Sequence, residues 1–411
     1  MNSRPLNILF ILPCPWDARL GQARASIGLA EALTSLGHRC EHFTQAESGI
    51  PSGRISGPLL AAWRFHRKVR DHIRREGSRY DVIQVEQNLL RFPRRDYRFG
   101  GTVVAKSVGL AHFYQKYEHT IERQLRAQRG DWGTLGGRIV RGMGRMLDGG
   151  LRVVENGFDG ADQIHLNNGD EFAFIKGNPR WSDKAVLVKS GISESEKQKL
   201  NASHEAGRRL NSSTVVSIGQ WSYRKGKAEM PAIVRKVREA RPDARFRLIG
   251  TGFSSESVVS HFDEVDRPFI HVVPSYQRSE LPPLLDEARA GLLPSYIEGF
   301  GFAWLEVLAA GLPVISWDVP GVRQMLRELP PFMMLPPPSV ESTAAAVVKL
   351  LSLSPIDYAE LCEKAQKVAA MFQWPQIAAI WEQAVMQQVD GKELAGKIGL
   401  PVGTVRPSPV L

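Results

Sequence analysis

The sequence predicts an α/β protein of two domains, each built from βαβ units around a parallel sheet. Three observations predict it: a length of 411 residues, strand-like apolar runs alternating with helical segments, and a polar break after which the same rhythm restarts. A chain this long exceeds one ordinary core and suits two of average size. Apolar residues make up 43% and charged residues 23%, a globular profile rather than a disordered or membrane-spanning one.

The first run, NILFILP (Asn7 to Pro13), has the length of a buried strand. Turn-rich CPWDARLGQ follows, then a helix in which Ile27, Ala30, Leu33 and Leu36 share one face and Gly37 is the stop. Strand-like runs recur at Val82 to Gln87, Thr102 to Ser107, Asp162 to Asn167 and Ala185 to Ser190. The polar segment Ser193 to Ser213 reads as the interdomain link. The rhythm then restarts with TVVSIG, a helix from Met230 to Arg241, FRLIG, FIHVVP and AGLLPS. A helix from about Gly301 to Ala310, PVISW, and helices Ser342 to Ser352 and Asp357 to Met371 come next. A final helix follows Trp374, and Gly399 to Leu411 reads as a loose tail.

Cys14, Cys40 and Cys362 are far apart and in no metal-ligand spacing, which suits a reducing compartment and argues against a disulfide scaffold or zinc site. No signal peptide is evident and no apolar run approaches the ~20 residues that span a bilayer, so a cytoplasmic protein is expected. The net charge of +10 is uneven: residues 1–150 hold 24 Lys and Arg against 13 Asp and Glu, the rest 29 against 30. Such a split suggests that the first half meets something anionic: nucleic acid, an acidic lipid surface or a phosphorylated acceptor. Ala62 to Arg75 sets Trp63, Phe65, Val69 and Ile73 among Arg64, Arg67, Lys68, Arg70, Arg74 and Arg75, and Arg123 to Arg152 is a second basic stretch. The first fits either an interfacial helix on an anionic membrane or a domain helix whose stripe faces the core. No recognised nucleic-acid-binding module accompanies the charge, so nucleic acid is not an expected partner.

The most informative segment is Pro294 to Ile315, PSYIEGFGFAWLEVLAAGLPVI, read as strand end, glycine loop, helix and next strand. Gly299, Phe300, Gly301 and Phe302 bring backbone N–H groups to a helix start, a position that suits a phosphate. Glu298 and Glu306 bracket this loop; carboxylates repel phosphate, so their fitting partners are hydroxyls of a ribose or sugar. Taken alone, both also read as ordinary surface acids. In SIGQWSYRKGK (Ser217 to Lys227), Arg224 and Lys225 follow a strand end that carries Gly219, where a cation pair could neutralise a pyrophosphate. Gly250 and Gly252 in IGTGF make another glycine turn after a strand.

Together, Lys225-Gly226, FRLIGTG and PSYIEGFGFAWLEVLAAGLPVI resemble the C-terminal half of the family 4 retaining glycosyltransferases, whose signature is a Glu, seven residues and a second Glu. The resemblance covers about Thr214 to Val322 strongly and the closing helices fairly, and it is weak in the N-terminal half. It implies two Rossmann-like βαβ domains facing a central cleft, the GT-B type, with domains at 1–195 and 206–374 and residues 375–398 packing back onto the first. It implies transfer from a nucleotide-sugar co-substrate to a glycan, lipid-linked or small-molecule acceptor, with retention and without metal or resident cofactor. Glu306 then resembles the ribose ligand and Glu298 the donor-sugar contact. Lys225 would meet the pyrophosphate with Arg224, and the amides of Phe300, Gly301 and Phe302 would meet the donor. Gly21, Lys106 and His112 are the acceptor-side candidates. Three positions depart from the pattern: Gln220 for the usual Arg, Leu20-Gly21 for Gly-Gly, and Val108-Gly109 for His-Gly. A nucleotide-sugar epimerase and a non-catalytic nucleotide-sugar-binding protein on the same fold are the alternatives.

Overall fold

The computed structural model describes residues 4–50, 58–124, 150–202 and 209–397. They form two compact units. The first comprises Met1–His112, Gly130–Gly191 and Trp374–Leu411; the second comprises Phe113–Arg129 and Ile192–Gln373.

The first unit holds β1 (Asn7–Leu12), β2 (Arg39–Thr44), β3 (Val82–Glu86), β4 (Thr102–Lys106), β5 (Gln163–Leu166) and β6 (Ala185–Leu187) in the order β2-β1-β3-β4-β5-β6, with every pairing parallel. Near-continuous apolar sequence in β1 follows from burial on both faces, the usual state of a parallel strand between helices. β2 (RCEHFT) lies at the edge with four half-exposed or exposed residues, so it carries no apolar pattern and the sequence reading passes over it. The Gly21–Ser35 and Trp374–Lys397 helices share one core with β1, β3 and β4. Trp381 is fully buried there and donates its indole N–H to Gln84 at 2.7 Å.

The Pro58–Glu76 helix settles the two readings of the basic stretch. Phe65, Val69 and Ile73 are buried in the first unit, so the apolar stripe faces the core rather than a membrane. Arg64, Arg67, Lys68, Arg74 and Arg75 remain exposed on the opposite side. Most of the second basic stretch, residues 125–149, lies outside the described residues, as does the tail from 398.

The second unit repeats the pattern with β7 (Thr214–Ile218), β8 (Arg245–Ile249), β9 (Ile270–Val273), β10 (Ala288–Leu293), β11 (Val314–Trp317) and β12 (Met334–Leu335). Its order is β12-β11-β10-β7-β8-β9, again all parallel. From β7 the chain adds β8 and β9 on one side, then returns to place β10 on the other. The strand order therefore reverses between β7 and β10, where open α/β sheets bind ligands beyond the strands' carboxyl ends.

Two boundaries differ from the sequence reading. The expected link at 193–213 begins with a helix, Glu194–Ala202, that belongs to the second unit. The expected first domain, 1–195, also gives up Phe113–Arg129 to the second unit. The Ala111–Tyr117 helix explains that exchange: Tyr117 is buried in the second unit's core, and Phe113, Tyr114 and Ile121 pack against it.

Candidate active site

Two loops meet at the reversal of strand order in the second unit. The loop after β7 supplies Arg224 and Lys225 on a single 3₁₀ turn, Tyr223–Lys225. Gly226 ends that turn in the left-handed region (φ 78°), and a side chain there would collide with the Pro294 carbonyl at the start of the β10 loop. The loop after β10 supplies Glu298. The two are joined by the Tyr296 backbone N–H donating to the Arg224 carbonyl at 2.9 Å, and by the Tyr296 hydroxyl donating to buried Glu229 at 2.6 Å.

Glu298 receives both cations on one oxygen: Lys225 Nζ lies 2.7 Å and Arg224 Nη1 3.0 Å from its Oε1. Arg224 Nη1 also donates to the Ile297 carbonyl at 3.2 Å. The Lys225 ammonium sits 5.2 Å from the ring centre of Trp304, and the aliphatic stem of Lys225 covers Gly219. Burial alone would raise the Glu298 carboxyl; Lys225 and then Arg224 outweigh it and hold the group below the ordinary carboxylate value. Burial likewise pushes Lys225 below the ordinary lysine value, against the pull of Glu298. Two cations on one carboxylate leave a surplus positive charge in a largely desolvated place, which is what a phosphate group needs.

The Phe302–Ala309 helix begins beside this cluster. Its N-cap, Gly301, is left-handed (φ 90°), and a Cβ there would lie 2.7 Å from Val322 Cγ1. Glycine at the N-cap brings no side-chain cap hydrogen bond to this helix start. Phe300 is buried against Phe302 and Phe372, which fixes the loop, and Gly299 is buried with it. Glu306 lies within the helix, only 6% exposed, with Arg278 Nη2 3.9 Å away; Arg278 also holds Glu196 at 2.6 Å. Beyond β8, Gly250 and Gly252 turn the chain with φ near +70°, and Thr251 accepts the Trp221 backbone N–H at 2.8 Å. Gly219, Gln220, Trp221, Lys225, Thr251 and Ser295 help line a recess of about 330 Å³, part of it open to solvent.

All the donor-side residues expected from the sequence therefore sit on loops at the carboxyl ends of β7, β8 and β10 or on the helix that follows. The sequence reading missed Arg278, Glu229, Tyr296 and Tyr114. Arg278 lies 28 positions before Glu306 and has no motif around it; only the fold makes them neighbours.

In the first unit the acceptor-side candidates do not form one cluster. Lys106 is buried at the end of β4 and donates to the Val188 carbonyl at 2.6 Å; burial pushes its ammonium down to about 7. His112 packs among Phe158, Phe174 and Trp181, with Glu155 3.7 Å from its Nε2. Gly21 opens the Gly21–Ser35 helix with open space around its Cα. The strand order of this sheet reverses between β1 and β3. There Gln22 donates to Glu86, whose carboxyl burial raises to about 7. Neither had been singled out, because an isolated Gln and Glu carry no spacing signal.

Residues 212–353 match the family model described as glycosyl transferases group 1. The glycogen synthase of Mycobacterium tuberculosis is 23% identical over 188 residues, 45% of this chain and 45% of the relative. The chain thus aligns with less than half the length of that relative. Among solved structures, the sucrose-phosphate synthase of Thermosynechococcus elongatus superposes with a TM-score of 0.65 at 20% identity, over 93% of this chain and 98% of that one. Anabaena HepE, solved in complex with UDP and glucose, gives 0.59 at 15% identity over 93% and 99%. The fold is the GT-B type, two Rossmann-like units, and the residues that match the glycosyl transferases group 1 model lie in the second.

Proposed function

We propose that the chain is a retaining glycosyltransferase of the family 4 kind that binds a nucleotide sugar on its second unit. The observation that carries this reading is the convergence of Arg224, Lys225 and Glu298 at the reversal of strand order, beside the N-terminus of the Phe302–Ala309 helix. Glu306 takes the ribose hydroxyls, Glu298 a sugar hydroxyl, and Lys225, Arg224 and the helix amides the diphosphate. In the reaction the bond between the anomeric carbon and the phosphate oxygen breaks. The acceptor hydroxyl bonds to that carbon from the same face, and its proton passes to the departing phosphate. Negative charge grows on the phosphate meanwhile, and fixed cations in a dry site stabilise such charge strongly.

Incubation with UDP-, GDP- and ADP-sugars and a panel of acceptors, with product analysis, tests this reading. Net sugar transfer that survives a chelator is expected, because the two cations take the charge-neutralising role of a metal. Sugar isomerisation, binding without turnover, or loss on chelation with recovery on manganese would each replace it.

The charge split supports a further part of the reading: the basic first half meets an anionic membrane that bears the acceptor. Among the described residues no helix is long and apolar enough to cross a membrane. With the stripe of the Pro58–Glu76 helix buried, attachment would be electrostatic, each cation near an anionic surface contributing about 1 kcal/mol. Of the exposed cations, Arg64, Arg67, Lys68 and Arg75 are taken for the test, Arg74 being set aside because it donates to the Asp96 carbonyl; an exposed Trp63 lies under Arg67 at 4.9 Å. Co-sedimentation with anionic vesicles should be strong at low salt, weak at high salt, and lost when these four become Glu. A native chain that stays in the supernatant at low salt removes the membrane from the reading.

A further inference from the structure

Residues 113–124 follow β4 in the chain, yet they are part of the unit that holds the donor site. Two of their rings reach its loops. The Tyr114 ring centre lies 6.0 Å from the Arg224 guanidinium carbon, and the Tyr117 ring centre lies 5.9 Å from that of Tyr296. Tyr296 is the residue whose N–H and hydroxyl bind the Arg224 carbonyl and Glu229, so both contacts converge on the loop that carries the cations.

We propose that Tyr114 is a positioning residue for Arg224, its ring face holding the guanidinium in plane towards the diphosphate. The inference rests on the donor-site reading above. Its physical basis is a division of labour on the guanidinium. Ile297 and Glu298 occupy only Nη1, and when a diphosphate arrives it competes with Glu298 for that donor. A cation over a ring face spends no N–H on that contact, so the ring steadies the fork while the donors that Ile297 and Glu298 do not use stay available to phosphate oxygens. A lysine at this position could not be held in that way. Tyr114 touches neither sugar nor phosphate in this account; it acts through Arg224.

The test uses Tyr114→Leu, which keeps apolar bulk and removes the ring, and Tyr114→Phe, which keeps the ring. Both are made in the native chain and in Arg224→Ala, with calorimetric titration of inorganic pyrophosphate as the probe. Tyr114→Leu should weaken pyrophosphate binding about fivefold and lower kcat more than it alters the donor KM, while Tyr114→Phe stays within about twofold of native. In the Arg224→Ala background, Tyr114→Leu should add nothing. Arg224→Lys, which keeps the charge and loses the planar fork, should match Tyr114→Leu and gives the answer if the leucine variant folds poorly. Equal losses for Leu and Phe, or an undiminished Leu effect without Arg224, would reduce Tyr114 to a space-filling contact and overturn the proposal. A native chain that binds no pyrophosphate brings down the donor-site reading and the proposal together, and this is seen before any variant is made.

Discussion

Replacing Lys225 by alanine is expected to lower the turnover of sugar transfer about 10²–10³-fold, with a much smaller loss of affinity for free nucleoside diphosphate. The asymmetry follows from when the charge is needed. If the donor binds as proposed, the phosphate nearest the sugar shares its charge with the glycosidic bond, and Arg224 and the helix amides remain to hold it. As that bond breaks, a full additional charge develops there. Lys225 is preorganised for it: Glu298 fixes its ammonium at 2.7 Å and the indole of Trp304 lies 5.2 Å away. Little reorganisation is then required during reaction. Steady-state kinetics alongside titration of the free diphosphate decide the matter. If kcat is preserved and only KM rises, Lys225 is a uniform binding residue and contributes nothing specific to the transition state.

The second large effect separates the two glutamates. Glu306→Gln should weaken free nucleotide and nucleotide sugar alike by about 10- to 150-fold, the range for losing hydrogen bonds to a charged acceptor. Glu298→Gln should behave in the opposite sense towards free nucleotide. It removes the carboxylate on which both Lys225 and Arg224 rest, so the diphosphate meets a more positive site and binds equally well or several-fold tighter. Transfer should nonetheless fall by a similar 10- to 150-fold, because the sugar hydroxyl loses its acceptor and the cations lose their anchor. A parallel loss of free-nucleotide affinity in both variants would show that the glutamates do not divide the work between ribose and sugar.

Both predictions rest on residues that were visible in the chain, and the reason is local. Gly219, Gly250, Gly299 and Gly301 follow or begin at strand ends, and their neighbours Lys225, Glu298 and Glu306 come within a few positions of them. Glycine-marked loops at the carboxyl ends of parallel strands declare a ligand site from short stretches of sequence. Arg278 and Tyr114 were not legible, because each reaches the site from a different element and its own neighbourhood is unremarkable; Glu229, just past the Ser217–Lys227 segment, was passed over because a single Glu before a helix carries no signal of its own. The same distinction applies to the fold. β1 announces itself by a continuous apolar run, whereas polar edge strand β2 and the two-residue β12 have no pattern to offer. The exchange of Phe113–Arg129 between units was invisible for another reason. Tyr114 and Tyr117 would be equally apolar in either core, and only packing assigns them.

The return of the Trp374–Lys397 helix to the first unit has a consequence for the order in which the protein can fold as it is made. The face of the first sheet that includes Phe10, Val82 and Val104 is covered in part by Trp374, Trp381 and Val385, which leave the ribosome after the Ile192–Gln373 segment of the second unit. Domains generally fold as units during synthesis, the N-terminal one first. Here that sequence is inverted in part. The Ile192–Gln373 segment is complete while the first sheet has the Gly21–Ser35 helix on this face and still lacks the Trp374–Lys397 helix beside it. The first unit therefore keeps part of this apolar face open until the Trp374–Lys397 helix closes it.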